Sequence, residues 1–268
     1  MSRNVAADEL DEPGGDERYV VKPVYKAMQV LRLLCEASKP LSLDEVAKEA
    51  GLPKTTVFRY LHTLGVMALA EYDPAAEAYR PGFGLWWLSH AADPYAALRQ
   101  VCHPQMRRLQ QRFNETVNLG VLSGGEVVYL EIVESEQSLR MQARPGARDQ
   151  IHSTALGKAL LAFRPRVQWE LLLPNRLIAR TDKTIVERTE LIGQLEAVRM
   201  AGFASERGEN EEGSLCIAAP ILDTNGVSLA ALSISAPEKR IDASVKARME
   251  KDLVDGCSAI SERINKFR

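Results

Sequence analysis

SLDEVAKEAGLPKTTVFRYLHTL, residues 42–64, reads as two short helices joined by a tight turn. Ser42 with Glu45 three residues later is a capping-box signature, which starts a helix at Leu43. Val46 and Ala47 give that helix an apolar side, and Ala50-Gly51-Leu52 ends it. Pro53 suits the first turn of a second helix, where a missing N–H leaves nothing unpaired. Val57, Tyr60, Leu61 and Leu64 recur at i, i+3, i+4 and i+7, so they share one buried face. The opposite face carries Lys54, Thr55, Thr56, Phe58, Arg59 and His62, and no acidic residue occurs from Ala50 through Ala70. Short hydrogen-bonding side chains at a helix N-terminus, cations beside them and nothing to repel phosphate are what a helix needs to lie in a DNA major groove.

Composition narrows where such binding can come from. The chain has 268 residues, enough for about two domains, and 46% hydrophobic content supports real cores. Its formal charge is −2, so nucleic-acid binding has to be local rather than polycationic. From Tyr19 to Gly82 there are eight Lys/Arg against seven Asp/Glu, or +1; the acid-free window says more than the total. The four cysteines, Cys35, Cys102, Cys216 and Cys257, are far apart, with no C-x-x-C pair and no His at ligand spacing. They read as reduced, mostly buried thiols of a cytosolic protein, with no metal or other cofactor implied. No run is long and apolar enough to span a membrane, and the acidic N-terminus is unlike a signal peptide.

Outward from the opening stretch, Met1 to about Arg18 carries six acids and Pro13-Gly14-Gly15, and reads as part of a disordered tail over 1–21. Lys22 to Ala37 is a helix with Ala27, Val30, Leu31 and Leu34 as its stripe. After Leu64, Val66–Tyr72 and Ala78–Arg80 read as strands around an Asp73–Glu77 turn, completing a winged helix-turn-helix over 22–82. A linker helix over 83–96 holds Trp86 and Trp87, which either meet another domain or subunit or cap the first core. Residues 97–268 form a second domain. Ala96–Cys102 is helical, and His103-Pro104 either kinks or restarts a helix that runs to Phe113. Val117–Leu122 and Glu126–Ile132 flank a Ser123-Gly124-Gly125 turn, and Leu139–Arg144 is a further strand. Helices follow at Ala155–Phe163 and Glu187–Ala201, strands at Leu215–Leu222 and Val227–Ser235, and a last helix at Ser244–Phe267. The fold class is α+β, the second domain a mixed sheet with helices.

With those pieces in order, the chain resembles the IclR family of bacterial transcriptional regulators from about Val24 on. The resemblance rests on GLPKTTVFRYLHTL, ETVNLGVLSGGEVVYLE (Glu115–Glu131), HSTALGKALLAF (His152–Phe163), RTDKTI (Arg180–Ile185), VRMAGFA (Val198–Ala204) and GSLCIAAPILD (Gly213–Asp223), taken jointly in order and spacing. It implies a winged helix-turn-helix, a dimerising linker helix and a GAF/PAS-like effector-binding domain. It also implies dimers or dimers of dimers on a palindromic double-stranded operator. Pro81, the Trp86-Trp87 pair and Phe58 (where the family commonly has His) depart from the family pattern.

For DNA the candidate residues are Lys54, Thr55, Thr56, Phe58 and Arg59, with His62 and the wing's Arg80 secondary. Phe58 offers a contact to a thymine methyl, and Arg59 either a bidentate guanine contact or a phosphate. For an effector, the start of the Ala155 helix offers free N–H groups as a carboxylate seat, with Ser153, Ala155 and Gly157 small enough for close approach. The resemblance places a pocket against Ala155, Leu156, Glu206, Cys216, Ser233 and Ser235, with Met141 lining it, for a small organic acid. A thiol-dependent enzyme built on Cys216, with His152 as base, is the competing class. Cys216 stands alone between Leu215 and Ile217, with no second thiol nearby to resolve an oxidised one.

Overall fold

Ser42 caps a helix as its spacing to Glu45 demands. The Glu45 N–H donates to Ser42 Oγ at 3.3 Å, and the Ser42 N–H donates to Glu45 Oε2 at 2.8 Å. The hydrogen bond from Lys39, followed by those from Ser42, holds the Glu45 carboxyl down at about 2. The computed structural model describes residues 19–91 and 93–266, so the acidic stretch before Tyr19 and the expected helix end at Phe267 lie outside it. The chain divides into two compact units, with the boundary between Asp93 and Pro94.

In the first unit, α1 (Lys22–Glu36), α2 (Leu43–Ala50) and α3 (Lys54–Val66) pack three-way. Val30, Leu31 and Leu34 of α1, Val46 of α2, and Val57, Leu61 and Leu64 of α3 form the core. Gly51, at φ +62, makes the left-handed turn that ends α2. The wing is an antiparallel pair, β1 (Ala70–Asp73) and β2 (Ala78–Pro81), and Leu41 bridges to Tyr79 beside it. The strand expected from Val66 begins only at Ala70. The helix continues through Val66, and Leu69 N–H closes back onto the Leu64 carbonyl at 2.8 Å. The chain then leaves the wing across Ala68. A Cβ at Gly82 would lie 2.2 Å from the Ala68 carbonyl oxygen, so only glycine fits there. In α4 (Phe83–Ala91) it is Leu85 that packs on the core, while Trp86 and Trp87 are 52% and 61% exposed. Both tryptophans thus leave more than half of their surface uncovered by this unit.

The second unit is a six-stranded sheet in the order β5-β4-β3-β8-β7-β6. Its strands are β3 (Thr116–Ser123), β4 (Glu126–Val133), β5 (Arg148–Gln150), β6 (Ala204–Arg207), β7 (Ser214–Leu222) and β8 (Ser228–Pro237). Every pairing is antiparallel, not mixed as expected. On one face lie α5 (Ala96–Phe113) and α9 (Ala243–Asn265), packing Met106, Leu109, Met249 and Leu253 onto Ile217, Leu232 and Ile234. On the other lie α6 (Ala155–Ala162), α7 (Arg166–Leu172) and α8 (Arg188–Ala201), contributing Leu160, Trp169, Leu191 and Leu195. α5 is one helix with Pro104 inside it, not two. Leu139–Arg144 forms no strand. Its alternation finds no ladder, and side chains hold it instead: Thr116 Oγ1 donates to the Met141 carbonyl and Arg240 Nη2 to that of Leu139.

Candidate functional site

α3 turns Lys54, Thr55, Phe58, Arg59 and His62 outward, with Thr56 half-buried. Phe58 stacks near His62, their ring centroids 6.2 Å apart and 20° from coplanar. Lys54 Nζ sits 2.6 Å from Asp44 Oδ1 of α2, so an acid approaches this face from outside the acid-free window. Both groups are solvated, and exposed pairs contribute little, so a phosphate can replace Asp44 at small cost. Arg80 is engaged in the wing: its Nε and Nη2 donate to the two Glu71 carboxylate oxygens at 3.2 and 3.1 Å. Among the described residues Arg59 makes no ion pair, which leaves it the one uncommitted guanidinium on this helix.

In the second unit, a cavity of about 80 Å³ opens on the α6 side of the sheet. Its lining includes Thr116 and Asn118 of β3, Tyr129 of β4, Asp149 of β5, Glu206 of β6, Cys216 of β7 and Ser235 of β8. Met141, Asn210 and Glu211 close it from the loops. Strand alternation explains the set: Ile217, Ile234 and Val117 point to the α5/α9 core, so Cys216, Ser235 and Asn118 point the other way.

Of the expected effector residues, Met141, Glu206, Cys216 and Ser235 come together here. Ser233 lies one pleat along and shares the Asn118 amide with Ser235, each Oγ 3.2 Å from Nδ2. Ser153, Ala155, Leu156 and Gly157 do not line the cavity. The α6 start is capped and enclosed: the Gly157 N–H donates to Thr154 Oγ1 at 3.0 Å, and all four residues are buried. Ser153 acts indirectly, its hydroxyl donating to Asn210 Oδ1 at 2.8 Å. Asn118 and Asp149 were missed. Asn118 had a signal, since it is a polar residue within the apolar run Val117–Leu122.

Three carboxyl groups, Asp149, Glu206 and Glu211, line the cavity, and among the described residues no Lys or Arg joins them. Burial pushes the Glu206 carboxyl up, against the hydrogen bonds that favour its charge. Those include the Glu209 N–H at 2.8 Å and the Ser214 hydroxyl at 3.3 Å. Burial, then the charge of Glu206, raises the Cys216 thiol well above its ordinary value. A thiolate is the nucleophilic form, so this cysteine is chemically quiet. His152 Nε2–H donates to the Ile178 carbonyl, 3.0 Å away, and the ring lines no part of this cavity. The pairing of Cys216 with His152 that a thiol enzyme requires is therefore not formed.

A winged helix-turn-helix unit followed by an α+β unit with a buried polar cavity defines a two-domain transcription regulator. Residues 23–74 match the IclR helix-turn-helix domain, and residues 92–262 match the C-terminal domain of the bacterial transcriptional regulator IclR. The chain belongs to the IclR family of bacterial transcriptional regulators. It is 35% identical over 227 residues to the HTH-type transcriptional regulator KdgR of Dickeya chrysanthemi, covering 84% of this chain and 74% of that one. The Thermotoga maritima IclR structure superposes with a TM-score of 0.78 at 28% identity, over 92% of this chain and 100% of that one. An IclR homologue from Microbacterium hydrocarbonoxydans, complexed with 4-hydroxybenzoate, superposes at 0.78 and 25% identity, over 90% and 99%. Among the described residues no helix is long and apolar enough to cross a membrane.

Proposed function

We propose that this chain reads a palindromic operator through the exposed face of α3, as a dimer or dimer of dimers, and that a small organic acid in the Glu206–Cys216 cavity modulates that binding. One observation supports the effector most directly: a 97%-buried residue, Glu206, faces a polar cavity beside Cys216 and Ser235. Burial keeps Glu206 protonated over a wider range than a free glutamate. A neutral Glu206 can donate its proton to an incoming carboxylate, which the other two carboxyl groups would otherwise repel. Among the described residues Asn118 Oδ1 has no hydrogen-bond partner, so a hydroxyl on the ligand would satisfy it. A void of about 80 Å³ is roughly half the ~150 Å³ that accommodates benzene in an engineered core. It suits an acid of a few carbons, and an aromatic acid such as the one in the Microbacterium homologue would require the wall to move.

On the DNA side, one α3 offers a single uncommitted guanidinium and a few short polar groups, so two copies at fixed spacing supply the affinity. Selection of bound duplex from a random pool by the full-length chain, followed by anisotropy with two- to four-carbon carboxylic acids and their amides, tests both halves. The expected result is an inverted-repeat sequence whose affinity shifts with an acid and not with its amide. Selection of a site without a repeat would remove the paired reading, and a response to neutral or cationic compounds alone would remove the organic acid.

A further inference from the structure

Lys158 is fully buried in α6, in the middle of an apolar core. A buried ammonium is costly unless its protons are used. Here Nζ donates to both carboxylate oxygens of Glu209 at 2.6 Å and to Gln194 Oε1 of α8 at 2.8 Å. Glu209 belongs to the loop between β6 and β7, which forms the outer wall of the effector cavity through Asn210 and Glu211. The Glu209 N–H is the donor that orients Glu206, and its carbonyl accepts from Thr184 Oγ1 at 2.6 Å. Gly208 and Gly213, at φ +71 and +74, supply the turns that let this segment fold back over the cavity.

We infer that Lys158 is a positioning residue of the effector cavity: through Glu209 it clamps the 208–213 wall and so fixes where Glu206 points. An apolar residue would fill the space in α6 equally well, and buried ion pairs commonly add no stability over apolar replacements. What the pair adds is a directed tie between the floor of the domain and one side of the cavity. Removing the ammonium strands the Glu209 carboxylate in the core. Glu209 then swings toward water, taking with it the N–H that holds Glu206 and the bond from Ser153 to Asn210.

The inference takes this cavity as the effector site, but its test uses no effector, so the two can fail separately. Cys216 lines the cavity beside the wall and is half-buried, while Cys102 and Cys257 are fully buried on the opposite face of the sheet. In the full-length chain with Cys35→Ser, alkylation by iodoacetamide, resolved by peptide mass spectrometry, reads all three. Lys158→Met should speed modification of Cys216 by tenfold or more and leave Cys102 and Cys257 unchanged. Glu209→Gln, which keeps an acceptor for Lys158, should give a smaller rise at Cys216 alone. An unchanged Cys216 rate in either folded variant overturns the inference, as does equal acceleration of all three thiols, which reports a general loosening. If Lys158→Met does not fold, Glu209→Gln decides by the same criterion.

Discussion

Gly157→Ala separates packing from propensity at the one place where α6 meets the chain before it. A Cβ built on Gly157 would lie 2.2 Å from the Ile151 carbonyl oxygen, 2.4 Å from its Cα and 2.7 Å from its carbonyl carbon. These are backbone atoms with no rotamer to yield, and ordinary contact starts near 3.4 Å. The helix start must therefore retreat by about 1.2 Å within a core at crystal-like density. Overpacking of this kind costs about 1–3 kcal/mol or more, while the glycine-to-alanine helix preference returns about 1 kcal/mol. The net expectation is a loss of about 1–2 kcal/mol. Gly193, exposed in the middle of α8, has nothing within 4 Å of its Cβ position, so Gly193→Ala should gain about 0.5–1 kcal/mol. The two variants should differ by roughly 2–3 kcal/mol, or about 5–10 °C in Tm for a domain of this size. Urea and thermal unfolding of the full-length chain by far-ultraviolet circular dichroism measure both. A Gly157→Ala protein as stable as wild type, or shifted in the same direction as Gly193→Ala, would refute the reasoning. The functional side effect is also readable, because a displaced α6 start loosens Ser153 from Asn210 on the cavity wall.

Arg59→Ala should lower operator affinity by about 1–3 kcal/mol per half-site if it reads a guanine, with the unfolding curve unchanged; anisotropy on the selected duplex measures it. Equal loss on all sequences, with a shallower salt dependence, would reassign Arg59 to a phosphate. Effector binding should weaken as pH rises through the raised Glu206 value, by up to about tenfold per unit, because a carboxylate ligand needs the Glu206 proton. Glu206→Gln should flatten that profile in calorimetry; its one amide oxygen keeps the Glu209 N–H hydrogen bond, and the Ser214 hydroxyl keeps the Glu211 carbonyl, 2.7 Å away, as its acceptor. Stability follows the same sign: the neutral form of Glu206 is the favoured one in the fold. Wild type should therefore lose stability relative to Glu206→Gln as pH rises from the ordinary glutamate value to the raised one, and the difference should level off above it. Thr154→Ala removes the acceptor of the Gly157 N–H and the donor to the Gln150 carbonyl, and should cost about 1 kcal/mol in the same unfolding assay.

Local chemistry made the first unit legible almost residue by residue. The Ser42/Glu45 pair fixed the start of α2, Gly51 its end, and the i, i+3, i+4, i+7 spacing the buried side of α3. In the second unit the long strands β3, β7 and β8 were equally plain, since apolar runs between turn residues have few other homes. The short elements were not. β5 is Arg148-Asp149-Gln150, three polar residues at a sheet edge whose only reason to be extended is β4. Leu139–Arg144 shows the converse, an alternating pattern without a neighbour to pair with. Its place went to β5, and the Tyr129 N–H pairs with the Ala147 carbonyl at 3.1 Å. Ladder partners are a tertiary fact, and periodicity carries no information about them.

The candidate sites divide along the same line. The α3 face depends on one helix and its own periodicity, so its members could be named in advance, but Asp44 could not be seen approaching Lys54 from the preceding helix. The cavity is assembled from six strands and two loops; of the residues expected from the sequence it gathers Met141, Glu206, Cys216 and Ser235, while Ser153, Ala155, Leu156 and Gly157 around the α6 start lie outside its lining. A helix N-terminus is an anion seat only if its N–H groups remain free. Thr154, three residues before Gly157, caps one of them, and the close approach of Ile151 to Gly157 seals the end from solvent. In the proposed reading the charge that a carboxylate needs is therefore not drawn from the α6 dipole. It is assigned there to a proton on Glu206, which burial holds to a higher pH than a free glutamate holds its own. In the same reading α6 contributes to the site through Lys158 and the wall that it holds rather than through its first turn.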